Sequence, residues 1–253
     1  VLRTVPGRVV GPGHGCVAVA PDNVAEYLVY HAWDVAHSGR YVHVDPLVWT
    51  DGGPASPGPC VGPQRRPPEP LVRDLFQRPP VALDRRRWRV DGGWDDVSQE
   101  LRPVDAASAS AVLGVEPPAR WLLELNVAFP GPPGAGRGAG ALTSYRDADN
   151  HAAVLLRPHD ATLVWRAVRD GEECSAVIAR LPAGFRPGAY HRLLVRREGQ
   201  ALGVVLDGVH VASVADGLGP VAPVGLVAVG GPAAFAGVAL TDLSSAVRPA
   251  HAP

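Results

Sequence analysis

Four groups of residues in this 253-residue chain have side chains capable of site chemistry. The first is a set of carboxylates near the N-terminus, Asp22, Asp34, Asp45 and Asp51. Asp22, Asp34 and Asp51 sit among turn residues, where Asp is favoured because its carboxylate hydrogen-bonds nearby backbone. Asp45 falls inside an apolar run, and its Asp45-Pro46 step predicts a bend. The second group is aromatic: Tyr27, Tyr30, Trp33 and Trp49, with Trp88, Trp94 and Trp165 further on. Aromatic faces can stack on sugar rings, but aromatics at strand positions mostly fill cores, and a core role is expected for these. The third group is Asp147, Asp149 and Asn150, a set that could bind calcium or a sugar hydroxyl; a turn between two strands calls for the same residues. The fourth is three cysteines, Cys16, Cys60 and Cys174, odd in number and with no C-x-x-C pair. They predict buried free thiols, with neither a disulfide framework nor a zinc knuckle. His14, beside Gly11-Pro12-Gly13, is expected to hydrogen-bond at a turn, and His31 and His43 to lie on strands.

The elements that must position these residues read as strands. Cys16–Ala20, Tyr27–Trp33 and Arg40–Trp49 form a meander broken at Pro21-Asp22-Asn23 and at Asp34–Gly39. So few strands cannot bury both faces of a sheet alone. From Pro54 to Pro80 proline recurs, with Arg65-Arg66-Pro67-Pro68 at the centre, and a linker is the expected reading ahead of a PxxP ligand. Further on, Trp121, Leu123, Leu125, Val127 and Phe129 alternate with Leu122, Glu124, Asn126 and Ala128, a period-two strand. Leu163–Val168 and Cys174–Leu181 flank Asp170-Gly171, and Asp207-Gly208 between Leu206 and Val209 predicts a type I′ hairpin. Short strands with frequent turns indicate a sandwich or barrel. Gly131–Gly140 lacks a lysine and a following helix, which argues against a phosphate loop.

Bulk composition narrows the classes. Apolar residues make up 46% and charged residues 19%, and the formal net charge is -1, so nothing points to nucleic acid or an anionic membrane surface. No apolar run reaches the length of a membrane-spanning helix. The chain has no Met and no charged-then-apolar leader after Val1, as expected either of a processed mature protein or of a chain that starts inside a longer one. Its localisation is left open, with an extracellular parent favoured over an intracellular one.

Gly11-Pro12-Gly13-His14, Tyr27-Leu28-Val29-Tyr30-His31-Ala32-Trp33, Gly39-Arg40 and Asp45-Pro46-Leu47-Val48-Trp49 together resemble the final blade of family 43 glycoside hydrolases. That family comprises arabinanases, arabinofuranosidases and β-xylosidases on a five-bladed propeller. Separately, Gly93-Trp94, Tyr145–His151, Tyr190-His191-Arg192-Leu193 and Leu206-Asp207-Gly208-Val209 resemble concanavalin-like, laminin-G-type sandwiches, which often follow the propeller. The resemblance implies an all-β fold: a partial propeller (the final blade, 1–53), a Pro-rich linker (54–85), a concanavalin-like β-sandwich (86–245) and a disordered tail (246–253). It implies a carbohydrate partner of the arabinan or xylan type and further blades upstream. Family members hydrolyse with inversion, using an Asp base, an orienting Asp and a Glu acid carried on earlier blades, so no catalytic residue is expected in this chain. It also makes His14 the candidate metal ligand, facing a propeller channel that would hold calcium or another hydrated cation. The alternative is a non-catalytic carbohydrate-binding sandwich. A catalytic sandwich of the laminarinase kind is discarded, because no strand carries the spacing E-x-D-x-x-E.

Overall fold

A computed structural model describes residues 2–20, 25–50, 52–62, 69–76, 83–84, 86–97, 99–104, 108–132, 134–215 and 220–244. Asp22, Asp51, the Arg65–Pro68 cluster and residues 246–253 lie outside these residues, as does the side chain of Trp49. The structure is all-β, with no helix among the described residues. It divides into two compact units, one ending at Pro70 and one spanning Leu71–Ser244.

The first unit is a four-stranded antiparallel meander of β1 (Val10–Val19), β2 (Glu26–Trp33), β3 (Arg40–Thr50) and β4 (Gly53–Ala55), in that order across the sheet. β1 starts earlier than the apolar run suggests, because Val10 and Gly13 already pair with Trp33 and His31. The register slips between Gly13 and Cys16, where His14 has φ 52°. His14 therefore sits on an irregularity within a strand, where an extra residue takes a left-handed conformation. One face holds a small core of Val9, Tyr30 and Ala32. On this face Asp45 is fully buried and accepts from the Tyr30 hydroxyl at 2.5 Å and from the Cys60 backbone N–H at 3.2 Å. These bonds tie the loop after β4 to the sheet, and burial together with the Asp45 contact holds the Tyr30 phenol far above its ordinary pKa. Gly58 completes the arrangement, since a Cβ there would run into the Asp45 carboxylate.

The second unit is a sandwich of two antiparallel sheets. Its strands are β5 (Val72–Asp74), β6 (Trp88–Asp91), β7 (Trp94–Val97), β8 (Glu100–Pro103), β9 (Ser108–Leu113), β10 (Arg120–Ala128), β11 (Gly138–Asp147) and β12 (Asn150–Arg157). They continue with β13 (Thr162–Arg169), β14 (Glu172–Arg180), β15 (His191–Glu198), β16 (Ala201–Leu206), β17 (Val209–Ala215), β18 (Gly225–Val229) and β19 (Ala234–Asp242). One sheet runs β17-β16-β15-β10-β19-β8-β7, and the seven-stranded sheet facing it runs β14-β13-β12-β11-β18-β9-β6. β5, inside the stretch expected to be linker, pairs with β19 through Val72↔Leu240 and Asp74↔Val238. Asp74 earns its place there by accepting from the Trp88 indole at 3.0 Å and from the Phe76 N–H at 3.0 Å.

Period-two alternation builds the core. Trp121, Leu123, Leu125 and Val127 of β10 are fully buried against Val154, Leu156, Leu226 and Phe235. Each large side chain so buried contributes roughly 1.5–3 kcal/mol. Trp88 joins this core, and Trp94 and Trp165 pack on its margin. Asp207 and Gly208 both have positive φ (51° and 85°), as the predicted hairpin requires. Arg137 turns the Gly/Pro-rich loop before β11 into a fixed element. Buried to 4% exposure, it donates to the carbonyls of Pro130, Pro132 and Pro232, and its guanidinium lies over the Phe129 ring. Burial lowers its pKa from the ordinary arginine value.

The expectation of buried thiols is corrected. Cys16 and Cys174 are exposed and Cys60 half-buried. Cys16 lies on β1 and Cys174 on β14, each the edge strand of its sheet, where one flank has no neighbouring strand among the described residues.

Candidate functional site

Outward positions on the seven-stranded sheet alternate with those in the core. Leu142, Ala153, Val112 and Val227 form a second, small apolar cluster there, with Tyr145 packed against it. Around this floor lie two adjoining recesses that share Tyr145, His151 and Val168. The larger, of about 580 Å³, is bordered by Arg89, Arg146, Arg169 and Asn150. The smaller, of about 320 Å³, is bordered by Asp91, Ser110, Asp149, Arg166 and Glu173.

Strand register brings these residues together. His151 pairs with Val168, Ala153 with Arg166, and Arg166 with Ser175, so β12, β13 and β14 present polar side chains side by side. Arg166 Nη2 donates to Glu173 Oε2 at 2.9 Å, with Arg166 15% and Glu173 52% exposed. Arg166 Nη1 is buried without a hydrogen-bond partner among the described residues, and so is His151 Nδ1. Tyr145 and His151 hold their rings 6.2 Å apart at 34°. Burial, and next the charge of Arg166, lower the His151 pKa, which favours the neutral imidazole.

Two hairpin tips frame the site. Asp147 Oδ1 accepts from the Asp149 N–H and from the Asn150 side chain, each at 3.0 Å, and Asn150 Oδ1 accepts from the Asp170 N–H. Asp147 and Asn150 are thereby engaged in shaping turns. Asp34 likewise accepts from the Ser38 N–H and hydroxyl within its own turn, and these bonds lower its pKa.

His14 lies on the four-stranded sheet. It is exposed and its ring stacks on His31 at 5.7 Å. His31 Nε2 faces the Arg40 guanidinium at 3.4 Å, and Arg40 in turn lies 4.7 Å from the centre of the Trp33 ring. Among the described residues no three His, Cys, Asp or Glu side chains are gathered so as to hold a metal ion. His14 and His31 alone do not make a cation cage, since a hard cation takes six or more oxygens.

A four-stranded antiparallel sheet followed by a β-sandwich defines the class of this all-β chain. No family profile matches the sequence, and a search of curated proteins finds no match. Solved structures do resemble it. The carbohydrate binding module CBM66 from Bacillus subtilis superposes with TM-score 0.54 at 18% identity, over 62% of this chain and 96% of that one. A mutant of the GH43 protein BlXynB from Bacillus licheniformis gives TM-score 0.52 at 19% identity, over 94% of this chain and 55% of that one. Xylan beta-1,4-xylosidase from Bacillus halodurans gives 0.51 at 14% identity, over 92% and 54%. The chain thus spans about half the length of the two enzymes. At these identities the likeness is one of fold.

Tyr145, His151, Asp149 and Asn150 stand out in the sequence as part of a sandwich-like motif. Arg166, Glu173, Asp91 and Ser110 do not. Their one sequence signal is a polar residue at an outward position of an otherwise apolar strand, which a solvated sheet face produces equally well.

Proposed function

We propose that this chain is the C-terminal part of a glycoside hydrolase of the family 43 type, acting on arabinose- or xylose-containing plant polysaccharides or oligosaccharides. The observation that carries the reading is coverage: one enzyme of that family matches 94% of this chain, through both units, while extending well beyond it. In the reading, the first unit is the last blade of a propeller and the catalytic carboxylates lie on blades outside this chain. The carboxylates at hand support that division. Asp45 is spent on Tyr30 and Cys60, and Asp34 on its own turn. Inverting hydrolysis needs an ionised base and a raised-pKa acid facing each other across the glycosidic bond with room for water, and neither Asp is placed for that. A hydrated cation at His14 would draw its oxygen ligands from outside the described residues. In this setting the chain's own work is to supply a blade and a rigid sandwich that contacts carbohydrate.

A second reading, a free-standing carbohydrate-binding module, is favoured by the match to nearly the whole of CBM66. The coding sequence upstream of Val1 separates the two. Four further blades with an Asp near the first strand are expected, and a start codon directly before Val1 would overturn the hydrolase reading. The purified chain is expected not to hydrolyse aryl arabinofuranosides or xylosides. Turnover abolished by substituting one of its own carboxylates would contradict the placement of the catalytic groups.

A further inference from the structure

We propose that the smaller recess on the outward face of the seven-stranded sheet is a binding site for one or two neutral sugar residues, held through vicinal hydroxyls by Arg166 and Glu173. The inference rests on the carbohydrate reading above only for the class of ligand; the site follows from the geometry.

Size comes first. About 320 Å³ lies at the small end of ligand pockets, roughly 300–1,000 Å³, and suits one or two rings rather than a long chain. Bonding capacity comes second. Arg166 gives Nη2 to Glu173 while its Nη1, buried, has no partner among the described residues, and neither does His151 Nδ1. A buried donor without an acceptor is costly, which favours any ligand that brings an oxygen to it. Glu173 is half exposed and retains acceptor capacity beyond the Arg166 bond. A guanidinium beside a carboxylate therefore offers a donor and an acceptor at neighbouring points. A vicinal diol answers both, one hydroxyl oxygen accepting from Arg166 and the next hydroxyl donating to Glu173. His151, kept neutral, exchanges one further hydrogen bond without adding charge.

Charge decides between neutral and acidic sugars. The recess border carries Asp91, Asp149 and Glu173 against the single guanidinium of Arg166. The excess of carboxylate repels a uronate, whereas hydroxyls, which both donate and accept, suit this mixture. The apolar floor is the remaining requirement. Tyr145, half-buried over Leu142 and Val227, borders the recess and offers its ring to the C–H face of a sugar.

Calorimetric titration of the whole chain with xylotriose and arabinotriose, and with tri-galacturonic acid as the anionic counterpart, tests the site. At least one neutral trisaccharide is expected to bind and the acidic one not to. Arg166→Met and Glu173→Gln are each expected to weaken neutral binding by about tenfold or more, the loss of one charge-assisted hydrogen bond. Glu173 is exposed enough for its amide variant to fold normally, so the test does not depend on the arginine variant alone. Unchanged affinity in a folded Glu173→Gln variant, preference for tri-galacturonic acid, or no binding of either neutral sugar would each overturn the proposal. The hydrolase reading fails separately, on the upstream sequence or on turnover by the chain itself.

Discussion

Strand β12 of the sandwich and strand β3 of the four-stranded sheet are both rich in apolar side chains, yet they meet different fates. On β12, Val154 and Leu156 point into a core that also takes residues from the facing sheet and are fully buried. On β3, Val42 is 74% exposed and Val44 44%, and Tyr41 on the opposite face is 56% exposed. β12 is a continuous apolar run and β3 an alternating one, and they differ as well in the second layer. The sandwich supplies one sheet for the other, which buries Val154 and Leu156, while Ala153 and Leu155 are buried on the outward side beside His151 and Arg166. The four-stranded sheet instead keeps one small core, Val9, Tyr30 and Ala32, and closes it with a polar lock, Asp45 with Tyr30 and Cys60. Apolar side chains left on both faces of a sheet mark surfaces that other layers cover.

The largest expected effect opposes the two regions directly. Phe235→Ala removes a fully buried ring from the sandwich core and is expected to cost roughly 3–5 kcal/mol in urea unfolding, whereas Val42→Ala on the open sheet is expected to change stability by about 0.5 kcal/mol or less. A large loss from Val42→Ala would show that this face is covered in solution. Next in size, Asp45→Ala leaves the Tyr30 hydroxyl and the Cys60 N–H without their acceptor and is expected to cost roughly 1–3 kcal/mol. Hydrogen exchange should report the loss in β2 and β3, with the amides of β10 and β15 unaffected. Equal loss in both places would mean that the two units unfold as one.

The smallest effect concerns pH and belongs to the sandwich alone. The folded site holds the His151 pKa down, through burial and the Arg166 charge. As pH falls through about 6.5 the unfolded chain takes up a proton that the folded chain resists, so His151 makes the protein less stable at lower pH. His151→Gln should flatten the stability profile between neutral and mildly acid pH. An unchanged profile would show that the ring protonates freely in the fold.

Much of this organisation is legible in the residues. The alternation of Trp121 to Val127, the Asp207-Gly208 hairpin and the turn at Asp34 all depend on neighbours within a few positions, and the structure reproduces them. Less legible was β5. Val72–Asp74 is three residues in a proline-rich stretch, and only pairing to β19, more than 160 residues on, makes it a strand. The thiols misled for a related reason, since an edge strand cannot be told from a central one by composition.

What the sequence determined by itself was strand character, turn position and the all-β class, because backbone preference and period-two patterning act over a few residues. What only the tertiary structure decided was which carboxylate is locked away and which polar side chains meet. Asp45 is buried because residues 58–60 fold back over it. Asp91, Ser110, Tyr145, Arg166 and Glu173 share one recess because five strands, β6, β9, β11, β13 and β14, fall into register within a single sheet. Register is a property of long-range pairing, and no local stretch of sequence carries it.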